Sequence, residues 1–420
     1  MKLSFRLTLA ALAAFCLGQI APAFSAPGAP IKVALLAPTS GTAAAAGHDM
    51  INAWTLYWSE HGNAVAGRPV VTMTYDTASN AAHALDQARH AVEQDGAQIV
   101  VGPYLANEGL AVAPYLEAHK IPMILPTVSA DDLSQRLANS YVVKVAGWTS
   151  SLPTHVAGVW AAEQGYKKVA TIANSYAFGY ENAGGFAQTF TEKGGRIVAQ
   201  LWAPLGTTDY SPYISRLQAA QPDAVFVEMV GADDVHFLEQ WSQFGLKNKI
   251  PLIANETTTD QSNIRSIPPE DVDGIISFGH YAEGRNDPAT SAFELKYGAA
   301  EGVLPSYMAA GFYTAAQWLA TAIEHVHGDI EDPARLLTAI HDVRLADSPL
   351  GPLELDRYNS PIENVYLRRV VATTGPAAKY AKTWNVVTHE WPHVSQFWTY
   401  DPKTYLQQPV YSATFQGIKQ

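Results

Sequence analysis

At 420 residues the chain is too long for one ordinary hydrophobic core, and its 48% hydrophobic and 16% charged residues are typical of a globular protein. We therefore expect two domains. The formal net charge of −12 excludes a general attraction to nucleic acid phosphates or anionic lipid surfaces, so no nucleic acid partner is expected.

The first 26 residues are typical of a secretory signal peptide. Lys2 and Arg6 precede a short apolar stretch and then small residues, and we expect cleavage within residues 23–26. The only cysteine of the sequence, Cys16, lies in this segment, so the mature protein would have no disulfide and no cysteine-based metal site. A buried N-terminal helix is the alternative. No later stretch is long and apolar enough to be an anchor, so we expect a periplasmic protein without membrane insertion.

Strand-like and helix-like segments alternate after the signal peptide. The apolar run 31–37 predicts a buried parallel strand, and Met50, Trp54 and Trp58 recur at helical spacing. Repeated βα units predict an α/β fold with two doubly wound lobes, each a parallel sheet covered by helices on both faces and joined by a hinge. The first round predicts strands at 31–37, 70–75, 98–101 and 122–125, and the second predicts strands at 168–173, 196–201 and 224–228.

Short crossings would join the two lobes. In such sheets ligands gather beyond the carboxyl ends of the strands, so the loops that follow the strands are the candidate site. We expect the first lobe to comprise residues 27–147 and 280–348, the second lobe 148–279 and 349–384, and a C-terminal tail 385–420.

Seven segments carry a family resemblance. They are Ile-Lys-Val-Ala-Leu-Leu-Ala-Pro-Thr-Ser-Gly at 31–41, Val-Val-Gly-Pro at 100–103, Ile-Pro-Met-Ile-Leu-Pro-Thr at 121–127, Ala-Phe-Gly at 177–179, Gly-Thr-Thr-Asp-Tyr-Ser at 206–211, Pro-Asp-Ala-Val-Phe at 222–226 and Gly-Pro-Leu-Glu-Leu-Asp at 351–356. In this order they resemble the branched-chain amino acid-binding family of type I periplasmic solute-binding proteins. The aromatic-rich composition and Trp-Thr-Tyr-Asp-Pro at 398–402 resemble a subgroup associated with aromatic acids.

The resemblance implies a function without chemistry. A small carboxylate-bearing solute, either an amino acid or an aromatic acid, would be captured between two lobes that close on a hinge. The implied partners are an ABC permease and its ATPase subunits, with the binding protein itself a monomer that needs no cofactor. A ligand-presenting sensory protein built from the same lobes is an alternative.

The resemblance also implies which residues of the first lobe contact the ligand. The loop after the 122–125 strand offers backbone amides and a hydroxyl to the ligand carboxylate, and Thr127 and Ser129 occupy those positions. The family usually has another hydroxyl after Val-Gly-Pro, where this chain has Ala106. Tyr104 and Asn107 are the residues that could replace it.

Three residues of the second lobe stand at positions that the family uses for the ligand. Two of them depart from the usual residue type, and one matches it. Phe178 stands where tyrosine is common, and Val230 lies in a loop that often supplies a polar or aromatic contact. Glu256 fits the acidic position that pairs with a ligand ammonium. Other interpretations stay open: Thr127 and Ser129 could cap the next helix, Phe178 could pack in the core, and Glu256 could be a solvated loop carboxylate.

One further motif indicates a different class of protein. His389-Glu390-Trp391-Pro392-His393 has the H-E-x-x-H spacing of zinc proteases, which requires both histidines on one helical face. Pro392 removes a helical N–H and disfavours helix at the residue before it, so we expect no metal site and no enzyme here. A secreted zinc-dependent hydrolase that uses this segment is the alternative function.

Overall fold

The computed structural model describes residues 28–419. The predicted signal peptide therefore lies outside the described residues. Within residues 28–419 the helices are each too short or too polar to cross a membrane.

The first lobe is built on a six-stranded sheet in the order β2-β3-β1-β4-β5-β6. Its strands are β1 Ile31–Ala37, β2 Ala64–Val65, β3 Arg68–Asp76, β4 Ile99–Val101, β5 Met123–Leu125 and β6 Val142–Lys144. β1 pairs in parallel with β3 and β4, and six of its seven residues are buried, as expected for a strand that helices cover on both faces.

The second lobe is built on an eight-stranded sheet. Its strands are β7 Lys168–Asn174, β8 Arg196–Ala203, β9 Ala224–Glu228, β10 Leu252–Asn255, β11 Ile276–Gly279, β12 Glu354–Leu355, β13 Pro361–Ala372 and β14 Thr383–Val394. β7 to β11 are paired in parallel in the order β8-β7-β9-β10-β11, and β13 adds to β11 in the antiparallel direction.

Helices pack on both sheets, and several of them begin directly after a strand. The helices are α1 Ala44–Glu60, α2 Ala81–Glu93, α3 Ala106–Ala118, α4 Ser151–Glu163, α5 Ala177–Glu192, α6 Ser211–Ala219, α7 Ala232–Gln243, α8 Gln261–Ile264, α9 Pro269–Val272, α10 Pro288–Glu301, α11 Tyr307–His325, α12 Pro333–Asp342 and α13 Pro402–Tyr405. α11 returns to the first lobe and packs against α1, as expected from its sequence. Two α/β lobes result, which confirms the predicted fold class.

The C-terminal region differs from the expected tail. Residues 383–394 form β14, which pairs with β13 at the edge of the second sheet, because this stretch is extended and β-branched rather than turn-forming. We use "the tail" below for residues 395–419 alone. The finer division of the chain between the lobes stays a prediction.

The tail contacts both lobes. The Tyr411 hydroxyl lies 3.2 Å from Nε2 of His155 on α4 of the second lobe. Arg136, which follows β5 of the first lobe, donates hydrogen bonds to the carbonyls of Tyr405 at 3.3 Å and Gln408 at 2.9 Å. The tail thus contacts residues of both lobes and links them.

The two lobes are closed on each other. The Ala232 N–H donates to the carbonyl of Thr42 across the cleft at 3.2 Å, and the Arg265 guanidinium pairs with Asp49 on α1 at 3.1 Å. Gly231 has φ of 58°, and a Cβ there would lie 2.3 Å from the Thr42 carbonyl oxygen. Only glycine therefore allows this approach of the lobes.

Candidate functional site

A small cavity lies between the lobes, beyond the carboxyl ends of strands from both sheets. Its empty volume is about 210 Å³. A larger depression beside Trp241 and Arg369 lies on the outer face of the second lobe, at the opposite ends of the strands. The residues lining the cavity between the lobes are Tyr104, Leu105, Ala106, Thr127, Ser129, Tyr176, Phe178, Val230 and Tyr307, all of them uncharged types.

Four helices begin at or beside the cavity lining. In the first lobe α3 begins at Ala106 and α11 at Tyr307, and in the second lobe α5 begins at Ala177 and α7 at Ala232. The first N–H groups of a helix have no partner within it and carry partial positive charge. The N–H groups at the starts of α3 and α5 can donate hydrogen bonds to an anionic group. By contrast, the Ala232 N–H of α7 already donates to Thr42, and the Tyr307 N–H of α11 already donates to Asp260.

Most of the sequence-predicted site residues come together in this cavity. Asn107 follows Ala106 into α3 and does not line the cavity, and Glu256 lies behind the wall of the second lobe. The ligand contacts of the others stay a prediction. Those that line the cavity are Tyr104, Ala106, Thr127, Ser129, Phe178 and Val230.

The hydroxyl of Thr127 has an unused hydrogen-bonding capacity. Thr127 is 3% exposed, and no residue in the described part of the chain hydrogen-bonds to its Oγ1. The next helical turn, Asp131–Leu133, receives no hydrogen bond from a capping side chain, so the interpretation of Thr127 as a helix cap is wrong. A buried hydroxyl without a partner is a group that a bound molecule can satisfy.

Tyrosine hydroxyls form a second polar feature of the lining. The hydroxyl oxygens of Tyr104 and Tyr307 are 3.4 Å apart. Burial raises the pKa of both phenols, and it does the same for Tyr176 on the opposite wall. All three therefore remain neutral hydrogen-bond donors, set on large aromatic surfaces.

Glu256 is fully buried and hydrogen-bonded at every acceptor position. Its Oε1 accepts from the Tyr281 N–H at 2.9 Å and from Arg368 Nη1 at 3.0 Å. Its Oε2 accepts from the His280 N–H at 3.2 Å and from the His280 imidazole Nδ1 at 2.6 Å. Burial opposes ionisation, but His280 and Arg368 outweigh it and lower the pKa of Glu256. The solvated-loop interpretation of Glu256 is therefore wrong.

Arg368, on β13, is likewise fully buried and uses all of its donors. Nη1 also donates to the carbonyl of Tyr281 at 2.8 Å, and Nη2 donates to the carbonyl of Glu256 at 2.8 Å and to Thr259 Oγ1 at 2.9 Å. Nε donates to Ser277 Oγ at 3.1 Å. With the bond to the Glu256 carboxylate, these account for the five N–H groups of a guanidinium.

Sequence reasoning missed several residues of this region. Tyr176 and Tyr307 lie at the starts of helices, and an aromatic residue beside a predicted loop does not by itself indicate that it lines a cavity. Arg368 gave a weak signal, because it and Arg369 stand between the apolar residues 365–367 and 370–372 of one strand, where a buried cation must find a partner.

The H-E-x-x-H segment does not form a metal centre. His389 and His393 both lie in β14, so they lack the one-turn helical spacing that zinc proteases use. Glu390 accepts a hydrogen bond from Asn364 at 2.6 Å. Within residues 28–419 no group of three or more His, Cys, Asp or Glu is placed to hold a metal ion, so nothing favours the hydrolase alternative.

Comparison with known proteins gives one family-level match. Residues 30–376 match the model of a family described as periplasmic binding proteins. The chain is 28% identical to the Leu/Ile/Val-binding protein homolog 6 of Brucella melitensis over 372 residues, which cover 87% of this chain and 93% of that protein.

Solved structures with the same fold include aromatic-acid complexes. A solute binding protein of an ABC transporter from Rhodopseudomonas palustris BisB5, in complex with 3,4-dihydroxybenzoic acid, has a TM-score of 0.82 and 26% identity, covering 87% of this chain and 98% of that one. A second, from Rhodopseudomonas palustris HaA2 in complex with p-hydroxybenzoic acid, has a TM-score of 0.79 and 26% identity, covering 88% and 98%.

Proposed function

Because the chain belongs to the periplasmic binding protein family, we propose that it captures a small carboxylate-bearing solute between its lobes for an ABC importer. One observation carries this proposal. The cavity between the lobes has an uncharged lining, and the N-terminus of α3 from the first lobe and that of α5 from the second lobe meet there beside the hydroxyl of Thr127, which has no partner among the described residues. Such a site can bind an anion without a cationic side chain.

The proposed mechanism is reversible closure of the lobes. Thr127 and Ser129 of the first lobe would bind the carboxylate, while Phe178 and Val230 of the second lobe would close over the apolar part of the solute. Closure removes water from the cavity, which strengthens each polar contact. A micromolar affinity needs a net binding free energy of about −8 kcal/mol, which a few hydrogen bonds and one buried apolar group can provide.

The same proposal covers the cellular role. The protein acts in the periplasm as a monomer, performs no chemistry on the solute, and passes it to a membrane permease driven by ATPase subunits. The aromatic side chains of the lining, among them Tyr104, Tyr176 and Phe178, fit a planar ring. The aromatic acids bound by the two Rhodopseudomonas palustris proteins belong to this class of solute.

Titration calorimetry on the purified protein tests the proposal. The panel consists of benzoate, 4-hydroxybenzoate, 3,4-dihydroxybenzoate, phenylacetate and 4-methylpentanoate, with the amides of the first two as uncharged controls. We expect at least one acid to bind with micromolar Kd and to raise Tm, and its amide to bind much more weakly. If no acid binds with Kd below about a millimolar, or if the amides bind equally well, the proposal is wrong.

A further inference from the structure

We infer that this cavity excludes solutes that carry an α-ammonium group, and that Arg368 sets this selectivity by occupying Glu256 from inside the protein. The inference rests on the proposed function, because it concerns the ligand of the same cavity. It narrows the ligand class from carboxylates in general to carboxylates without a neighbouring amine.

The first argument is the saturation of Glu256. A carboxylate has about four acceptor positions, and Glu256 already accepts four hydrogen bonds, from two backbone N–H groups, one guanidinium and one imidazole. An ammonium that arrived in the cavity would find no free acceptor on this residue. It would also meet the charge of Arg368 only 3.0 Å from the carboxylate oxygen.

The second argument is that Arg368 cannot move aside at small cost. It is fully buried in the sheet of the second lobe, and each of its N–H groups has a partner. Displacing it would leave a buried cation without its counter-ion, which is strongly unfavourable. The pairing of Arg368 with Glu256 is thus a fixed part of the second lobe.

Other acidic residues near the cavity do not take over the role of Glu256. Glu228, Asp234 and Asp260 lie behind the lining rather than on it. Burial raises the pKa of Glu228 and of Asp234 well above the ordinary carboxyl value, which disfavours the charged form of both. Asp260 already accepts hydrogen bonds from the Tyr307 N–H at 2.9 Å and from Ser262.

The third argument is the composition of the cavity lining. The lining residues are all of uncharged types, and the helix starts of α3 and α5 present N–H donors to the cavity, so the lining offers an ammonium no carboxylate partner. An α-amino acid would gain from its carboxylate but would bury its ammonium without a partner. Burial of an unpaired charge is costly enough to outweigh one good carboxylate contact.

Matched solutes separate the effect of charge from that of size. The probes are phenylacetate, mandelate and phenylglycine, and in parallel 4-methylpentanoate, 2-hydroxy-4-methylpentanoate and leucine. Within each set the hydroxy acid and the amino acid have nearly the same shape and differ in the charge of the α-substituent. Calorimetric titration of the unmodified protein at neutral pH gives the Kd of all six.

We expect each amino acid to bind at least about 100-fold more weakly than its hydroxy counterpart, because its ammonium is left unpaired. If an amino acid binds as tightly as its hydroxy counterpart, this inference is wrong while the proposed function stands. If none of the six solutes binds and the aromatic panel also fails, the proposed function is wrong, and this inference falls with it. If only the acids without an amino group bind, that result supports both this inference and the proposed function.

Discussion

Two positions that the family pattern assigns to one ligand site have opposite surroundings in this protein. Thr127 of the first lobe lines the cavity, and its hydroxyl bonds to no described residue. Glu256 of the second lobe lies behind the cavity wall with four hydrogen bonds. A residue at a family's ligand-binding position can therefore be unavailable to the ligand. Here Arg368, which is distant in sequence, already donates a hydrogen bond to the Glu256 carboxylate.

The largest expected effect comes from Glu256→Gln. The change leaves Arg368 buried without its counter-ion, so we expect the free energy of unfolding to fall by about 3–5 kcal/mol. Binding of 4-hydroxybenzoate should change by less than about threefold, because Glu256 is not on the lining. Denaturant unfolding and calorimetry measure the two quantities.

The exposed ion pair of Glu354 and Arg344 gives the control for this variant. Glu354→Gln should cost less than about 1 kcal/mol, since both side chains are about half exposed. A loss of more than tenfold in 4-hydroxybenzoate affinity in Glu256→Gln, with stability unchanged, would mean that Glu256 contacts the ligand. The comparison between the two positions would then be wrong.

The second prediction concerns the pH dependence of stability that arises from Glu363, a buried carboxyl group near Glu256. Glu363, on β13, is 3% exposed, and within residues 28–419 neither of its carboxylate oxygens has a hydrogen-bond partner. Burial and the charge of Glu256 raise the pKa of Glu363 to about 7, although His280 and Lys144 act in the opposite direction. The folded protein therefore holds this proton more tightly than the unfolded chain.

The sign of the pH effect follows from that difference. Stability from Glu363 is present below the ordinary carboxyl pKa and is lost as the pH rises through about 7. We expect Glu363→Gln to remove about 2.5 kcal/mol of the wild-type loss of stability between pH 5 and pH 8. Glu117→Gln, at an exposed position on α3, is the control and should leave the pH profile unchanged. If stability changed with pH in the same way in the wild type and in Glu363→Gln, the pH-dependent loss could not be assigned to Glu363.

The smallest expected effect tests the role of Thr127, the first-lobe residue of the comparison. Thr127→Val removes an unbonded hydroxyl at nearly constant volume, so the unliganded protein should be as stable as the wild type or more stable, by about 1 kcal/mol. Binding of 4-hydroxybenzoate should weaken about 10- to 100-fold, because a hydrogen bond to a charged group is lost.

Thr171 on β7 offers a matched control for Thr127. Its hydroxyl is also buried and without a partner among the described residues, but Thr171 is not on the cavity lining. Thr171→Val should change stability as Thr127→Val does and leave Kd unaltered. Equal losses of affinity in the two variants would show that Thr127 has no special role in binding.

Much of the fold was predictable, because it depends on patterns that the sequence displays. Apolar strands and amphipathic helices alternate along the chain, and the predicted family and α/β class are confirmed. The residue-level failures have physical reasons. β14 extends beyond residue 385 because its partner β13 provides a sheet edge, and the β-branched residues Val386, Val387 and Thr388 do not by themselves show which strand they pair with.

The site was predictable where loops follow strands and unpredictable where distant residues pair. The loops that hold Ala106, Thr127 and Phe178 were predicted because the carboxyl ends of parallel strands meet at one edge, and the family resemblance singled out these three residues within the loops. The state of Glu256 depends on His280, which follows β11, and on Arg368 of β13, and a sequence pattern does not show which partners a folded chain brings together.

The placement of the tail has a practical consequence for watching the lobes move. Residues near the C-terminus are fastened to the second lobe, where the Lys419 N–H donates to Thr191 Oγ1 on α5 at 3.0 Å. A fluorophore attached after the last residue is therefore carried by that lobe. Paired with a second dye on an exposed position of α12 in the first lobe, such as Thr338, it would report cleft width by energy transfer as solute is added.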